Sequence, residues 1–133
     1  MNIIDIEGIG PAYAKKLDKV GLKTVEGLLK AGASPKGRKE LAEKSGIDVT
    51  LVLEWVNRAD LYRIKGVGKQ YSDLLEKAGV DTVVELSKRV AANLNKKMEE
   101  VNKAKNLING MPGEKRVEDW IAQAKKLPRV VTY

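Results

Sequence analysis

Ile64-Lys65-Gly66-Val67-Gly68 and Ile6-Glu7-Gly8-Ile9-Gly10 are the two stretches on which the fold turns. Both read apolar-x-Gly-apolar-Gly, and they stand 58 residues apart. Two glycines flanking one apolar residue let a chain reverse within a few residues, through dihedrals that side chains forbid. The residue between them, Ile9 or Val67, is expected to point inward and anchor the bend. The register continues downstream: Tyr13 matches Tyr71, Leu17 matches Leu75, Lys19 matches Lys77, Gly21 matches Gly79, Thr24-Val25 matches Thr82-Val83 and Leu28 matches Leu86. Glu54-Trp55-Val56 then resembles Asp119-Trp120-Ile121, and Ala59 matches Ala124, at an offset of 65. The chain is therefore an internal duplication whose second copy holds about seven extra residues between Leu86 and Trp120.

Everything between the bends reads as helix. Pro11 opens a helix at a position where its missing N–H costs nothing. Ala14, Leu17 and Val20 form its apolar stripe, and Gly21 stops it. Thr24 caps a short helix through Lys30. Ser34-Pro35 starts another that reaches Lys44 and ends at Gly46. Asp48 caps the next, with Leu51, Val52, Trp55, Val56 and Ala59 on one face. In the second copy Tyr71, Leu74, Leu75 and Ala78 face inward and Gly79 is the stop. Thr82 and Glu85 have capping-box spacing. Leu94, Met98, Val101 and Leu107 or Ile108 predict a longer helix, and Asn109-Gly110-Met111-Pro112-Gly113 a turn. Val117, Trp120, Ile121, Ala124 and Leu127 line a last helix that Pro128 ends. The tail, Arg129-Val130-Val131-Thr132-Tyr133, reads as extended, and Asn2-Ile3-Ile4-Asp5 is the segment it is expected to lie against. Trp55, Trp120, Tyr13 and Tyr71 are expected in the core.

Composition narrows the function. Aromatic residues are 5% and charged residues 32%, which suits amphipathic helices better than a β-sandwich. There is no Cys and no His, which removes disulfides, structural zinc, thiol nucleophiles, histidine bases and Ser-His-Asp triads. No P-loop, nucleotide fingerprint or metal-ligand cluster appears, so no enzymatic activity, metal or cofactor is expected. The stretch Met1-Asn2-Ile3-Ile4-Asp5-Ile6-Glu7 has no basic region and its apolar run is broken at once, unlike a signal peptide. No stretch approaches the roughly 18 apolar residues of a membrane span. A cytoplasmic protein without membrane contact is expected.

The formal net charge of +7 favours a polyanionic partner. The glycine-rich bends suggest how one would be held. Glycines leave backbone N–H groups uncovered at the start of a helix, where donors without intrahelical partners and the helix dipole favour an anionic oxygen. A phosphate, a sulfate or a carboxylate fits such a place. Tight helix–helix turns also need glycine where nothing binds, so a purely structural role stands beside this one.

The stretches Leu61-Tyr62-Arg63-Ile64-Lys65-Gly66-Val67-Gly68-Lys69-Gln70-Tyr71-Ser72-Asp73-Leu74-Leu75 and Ile6-Glu7-Gly8-Ile9-Gly10-Pro11-Ala12-Tyr13-Ala14-Lys15-Lys16-Leu17 each resemble a helix-hairpin-helix motif. With Ala33–Ala42 and Leu53–Leu61, the paired arrangement resembles the tandem helix-hairpin-helix proteins of the DUF4332 family over nearly the whole chain. The resemblance implies an all-α fold of two such units packed as a compact helical protein, residues 1–61 and 62–133. The wider helix-hairpin-helix class implies DNA contact without sequence preference, hairpin amides meeting phosphate oxygens with Lys or Arg nearby. Carried over, the contacts fall on the backbone of Gly66, Gly68 and Lys69, with Lys65 as charge partner, and on Gly8 and Gly10 in the first copy. DNA or RNA phosphate is then the partner.

The first copy departs from this pattern. Glu7 puts a negative charge where Lys65 stands, and Pro11 lacks the N–H that Lys69 keeps. Only five residues precede Ile6, so a leading helix there is expected to be clipped to about one turn. Residues 1–61 carry ten basic and nine acidic side chains, a net +1, whereas residues 62–133 carry fifteen and nine, a net +6. The second bend is therefore the expected binding element and the first mainly structural. The cluster Lys36, Arg38 and Lys39 reads as a solvated helix face or a further phosphate contact. The alternative function is a protein-interaction or self-assembly scaffold without nucleic acid, in which the tail Val130–Tyr133 pairs with another chain or a second copy.

Overall fold

Thr24, Ser34 and Thr82 each end an extended stretch and accept a backbone amide three residues on. The donors are Gly27 N at 3.0 Å, Gly37 N at 3.1 Å and Glu85 N at 3.2 Å. Such bonds satisfy amides that have no intrahelical partner and so set where three helices begin. The computed structural model describes residues 2–133. Among them the chain is all-helical, with eight α-helices and no strand. It divides into two compact units, Met1–Asp60 with Val130–Tyr133, and Leu61–Arg129.

The first unit holds α1 (Pro11–Lys19), α2 (Val25–Ala31), α3 (Pro35–Ser45) and α4 (Val49–Leu61), preceded by a 3-10 turn at Ile3–Asp5. Gly21 and Gly46 stop α1 and α3 with φ of +86° and +73°, a region where a side chain is strained. Asp48 caps α4 by accepting from Thr50 N at 2.8 Å. The Thr50 hydroxyl, and then its amide, hold the Asp48 carboxyl below the ordinary aspartate range. Ile6, Leu17, Leu28, Val52, Trp55 and Val56 form the core. The joint between α2 and α3 admits no side chain: a Cβ on Gly32 would strike Val56 Cγ2 and one on Gly37 the carbonyl of Ala31.

The C-terminal tail does not lie where its sequence suggested. Asn2 pairs instead with Thr24, and Ile3 N donates to Lys23 O at 3.1 Å. The tail follows the α2–α3 joint: Thr132 N donates to Ala33 O at 2.8 Å, Val131 is buried, and Tyr133 donates its hydroxyl to Asn57 Oδ1 at 3.0 Å. Arg38 is the reason. It is neither a solvated cation nor a phosphate contact but 4% exposed. Its Nη1 donates to the carbonyls of Gly32 (2.8 Å) and Ala33 (3.1 Å), and its Nη2 to that of Thr132 (2.6 Å). A guanidinium presents a planar fork of donors, so one side chain can tie the joint to the tail.

The second unit repeats the plan with α5 (Lys69–Lys77), α6 (Val83–Ser87), α7 (Ala91–Lys105) and α8 (Glu114–Lys126). Its core gathers Ile64, Leu74, Leu75, Leu86, Met98, Val117 and Trp120. The insertion is spread out. At 15 residues α7 exceeds the 11 of α3, and the link 106–113 outruns the link 46–48, while α6 is shorter than α2. Leu107 and Ile108 fall outside the helix expected to hold them. Asn106 takes a left-handed conformation, φ +49°, and the Asn102 side chain replaces the next helical bonds. Asn102 Oδ1 accepts from Leu107 N and Ile108 N, both at 2.9 Å, while its Nδ2 donates to Ile108 O at 3.0 Å. Ile108 is still buried, but from a loop.

Arg38→Met removes three charge-assisted bonds and leaves the carbonyls of Gly32 and Thr132 without this donor, an expected loss of about 3 kcal/mol. Deleting residues 130–133 removes an overlapping set of contacts. The urea midpoints of the two variants and their combination should therefore show losses that do not add. Full additivity would mean that Arg38 does not hold the tail.

Candidate functional site

The bend that leads into α5 is built by burial on one side and glycine on the other. Ile64 and Val67 are buried, and Val67 N donates back to Ile64 O at 3.2 Å, closing the turn. Gly66 has φ +94°, in the left-handed region. Trp120 packs its indole edge against that glycine, so that a Cβ there would stand 3.1 Å from Nε1. Glycine is needed twice, for its dihedral and for clearance. Tyr71 of α5 meets Trp120 at 5.2 Å between ring centroids, a tilted pairing that ties α5 to α8.

Four of the expected residues, Lys65, Gly66, Gly68 and Lys69, share this bend. Among the described residues the amides of Gly66 and Gly68 have no hydrogen-bond partner; Gly66 is exposed and Gly68 half-buried. Gly68 is the N-cap of α5 and offers no capping side chain, so the helix start is open at its positive end. Lys65 and Lys69 are both exposed. The Lys65 amide is not available: Gln123 of α8 accepts it at 2.8 Å and donates Nε2 to the Lys65 carbonyl at 3.2 Å. Asp119 Oδ2 accepts a further bond from that Nε2, at 2.9 Å. Lys65 thus brings its side chain alone, on a backbone held in place.

Gly8 and Gly10 form the corresponding bend of the first unit. Gly8 has φ +93°, its Cβ position lies 3.3 Å from Trp55 Nε1, and Tyr13 meets Trp55 at 5.0 Å. Both glycine amides again lack a partner among the described residues. The surroundings differ. Glu7 replaces Lys65, and Pro11 removes a donor at the start of α1. Because α4 and α8 both run for 13 residues from positions 65 apart, Arg58 aligns with Gln123 and Leu51 with Arg116.

Gln123 and Arg116 were not singled out in the sequence. Arg116 sits four residues before Trp120, on the same face of α8. Its guanidinium lies 5.0 Å from the Tyr71 ring centroid and 5.8 Å from that of Trp120, and Nη1 donates to Tyr71 Oη at 3.4 Å. A basic residue one turn from a core tryptophan was the available signal. Among the described residues no helix is long and apolar enough to cross a membrane, and no cluster of acidic side chains could hold a metal ion.

The fold defines an all-helical protein of two units, each closed by a tryptophan set against a left-handed glycine. The chain belongs to the family described as a domain of unknown function, DUF4332, which matches residues 7–127. No curated protein and no solved structure matches it.

Replacing Gln123 with Ala opens the Lys65 amide. Loss of about 1 kcal/mol of local protection corresponds to roughly fivefold faster hydrogen exchange at Lys65. The buried amide of Val67 should keep its protection. An unchanged Lys65 rate would show that the clamp does not hold in solution.

Proposed function

We propose that the second unit binds nucleic acid through phosphate oxygens, without sequence preference and without chemistry on it. The observation that carries this reading is the pair of unengaged amides, Gly66 and Gly68, at the uncapped start of α5. An anion there meets N–H donors and the positive end of a helix together. Lys65 and Lys69 flank the place, and the unit around it carries most of the surplus charge of the chain. The bend and its flanking helices fit the helix-hairpin-helix plan that the sequence resembles, and phosphate contacts of this kind position a duplex without reading bases. Gly8 and Gly10 give the first unit a weaker form of the same element, because Glu7 repels phosphate and Pro11 withholds a donor. DNA and RNA share the phosphodiester, so the reading covers both. The competing scaffold reading drew on a free tail, whereas Thr132 already donates its amide to the Ala33 carbonyl and accepts from the Arg38 guanidinium.

Binding to a 20-base-pair duplex of random sequence, followed by fluorescence anisotropy, tests this. Neutralising two or three phosphates predicts a fall in affinity of roughly 10- to 40-fold between 50 and 200 mM salt. Lys65→Glu with Lys69→Glu should weaken binding by about tenfold or more and flatten the salt slope. Glu7→Lys should not weaken it. No retention of the wild-type chain at 50 mM salt would end the nucleic-acid reading.

A further inference from the structure

Trp120 is 1% exposed, yet among the described residues its indole N–H donates to no acceptor. Buried indole donors ordinarily find a partner. This one lies close against Gly66, where the lack of a side chain lets the indole edge approach the backbone. A Cβ at Gly66 would stand 3.1 Å from Trp120 Nε1, 3.8 Å from Arg116 Nη2 and 4.0 Å from Arg116 Nε. An indole donor and a guanidinium therefore both lie against the Gly66 side of the bend, next to the open amides of Gly66 and Gly68. All of these groups are donors and none is an acceptor, which is the complement of an oxyanion. Stacking against Tyr71 and Trp120 holds the Arg116 guanidinium in place before any ligand arrives, so little side-chain freedom is lost on binding.

We propose that Trp120 and Arg116 complete the second bend as a discrete pocket for one phosphate group. This deepens the nucleic-acid reading and rests on it for the nature of the ligand. The phosphate is either a diester within a nucleic-acid backbone or a free phosphate ion. The first unit is a built-in control. Trp55 Nε1 faces the Gly8 position at 3.3 Å, but no second donor lies within 4 Å of that position. Leu51 occupies the place of Arg116, and Glu7 that of Lys65. The duplicated backbone is present there without the cationic partner.

The test is a titration of the full-length, 15N-labelled chain with inorganic phosphate, and separately with a short DNA duplex. The resonances followed are the two indole N–H groups and the four glycine amides. Saturable downfield movement is expected for the Trp120 indole and the Gly66 and Gly68 amides, with the Trp55 indole still and the Gly8 and Gly10 amides moving much less. Arg116→Gln should keep the fold, with unliganded changes confined to the surroundings of Tyr71 and Trp120, and weaken the response about tenfold. Trp120→Phe would remove the donor but also core volume, so the arginine variant and the wild-type spectrum carry the decision. A Trp120 indole that does not move with either probe overturns the pocket. So does equal, unsaturating movement of both indoles, which marks an adventitious ion only. If the duplex shifts Gly66 and Gly68 but not the Trp120 indole, the pocket fails and the nucleic-acid reading survives. If phosphate saturates the pocket and the duplex does not bind, the pocket stands with free phosphate as its ligand and the nucleic-acid reading fails.

Discussion

A tryptophan edge set against a left-handed glycine is the contact on which each unit depends. Trp55 meets Gly8 and Trp120 meets Gly66, at φ of +93° and +94°. Each indole is about fully buried and is the largest side chain of its core. Burial of that much apolar surface is worth several kilocalories per mole, so the helix that carries it is fastened to the bend. The bend then sets the direction in which the next helix leaves, and a tyrosine from that helix returns to the same indole. Shape, dihedral and the aim of the backbone amides follow from one packing decision.

The two copies show how little of this geometry concerns function. With the same bend, the same tryptophan and the same tyrosine, they differ at the edges. In the first unit the position aligned with Gln123 is Arg58, 4% exposed, with Nη2 3.8 Å from Glu54. In the second, Gln123 leaves cationic chemistry to Lys65 and Arg116 and takes up the Lys65 backbone instead. The charge difference between the halves, net +1 against +6, is partly local. Part of it sits around one bend, where the helix dipole has the same sign.

How much could be read from the residues depends on the range of the interaction. Caps, stops and bends were legible because Thr24, Ser34, Thr82, Gly21 and Gly46 act on residues within a few positions of themselves. The inward tryptophans were legible from helical period and duplication. What escaped reading needed partners far along the chain. Arg38 stands among Lys36 and Lys39 and looks like surface charge until Thr132, 94 residues away, supplies a carbonyl. Gln123 reaches Lys65 over 58 positions. The end of α7 was misread for a subtler reason: Ile108 keeps helical spacing with Val101, but the Asn102 side chain offers the amides of Leu107 and Ile108 a competing acceptor. Of the site, the glycines and lysines were legible from the bend, whereas Arg116 became visible only beside the rings it stacks on.

The open donors at the second bend pose an energetic question that packing answers. Clustering N–H groups and a guanidinium without an acceptor is unfavourable unless water or a ligand fills the gap. Gly66 is exposed, so water can reach its amide, and the cost of keeping it unpaired stays small. The Trp120 indole is different, because its burial is required by the core whether or not its N–H is used. Packing the ring edge-on against glycine turns that obligatory burial into a donor near the surface. A site of this kind adds little to the cost of folding, since its most expensive member is already paid for by the core. A ligand that fills it stabilises the folded chain in proportion to its concentration over its dissociation constant. On the proposed reading, binding and stability are coupled through the one indole that both would use.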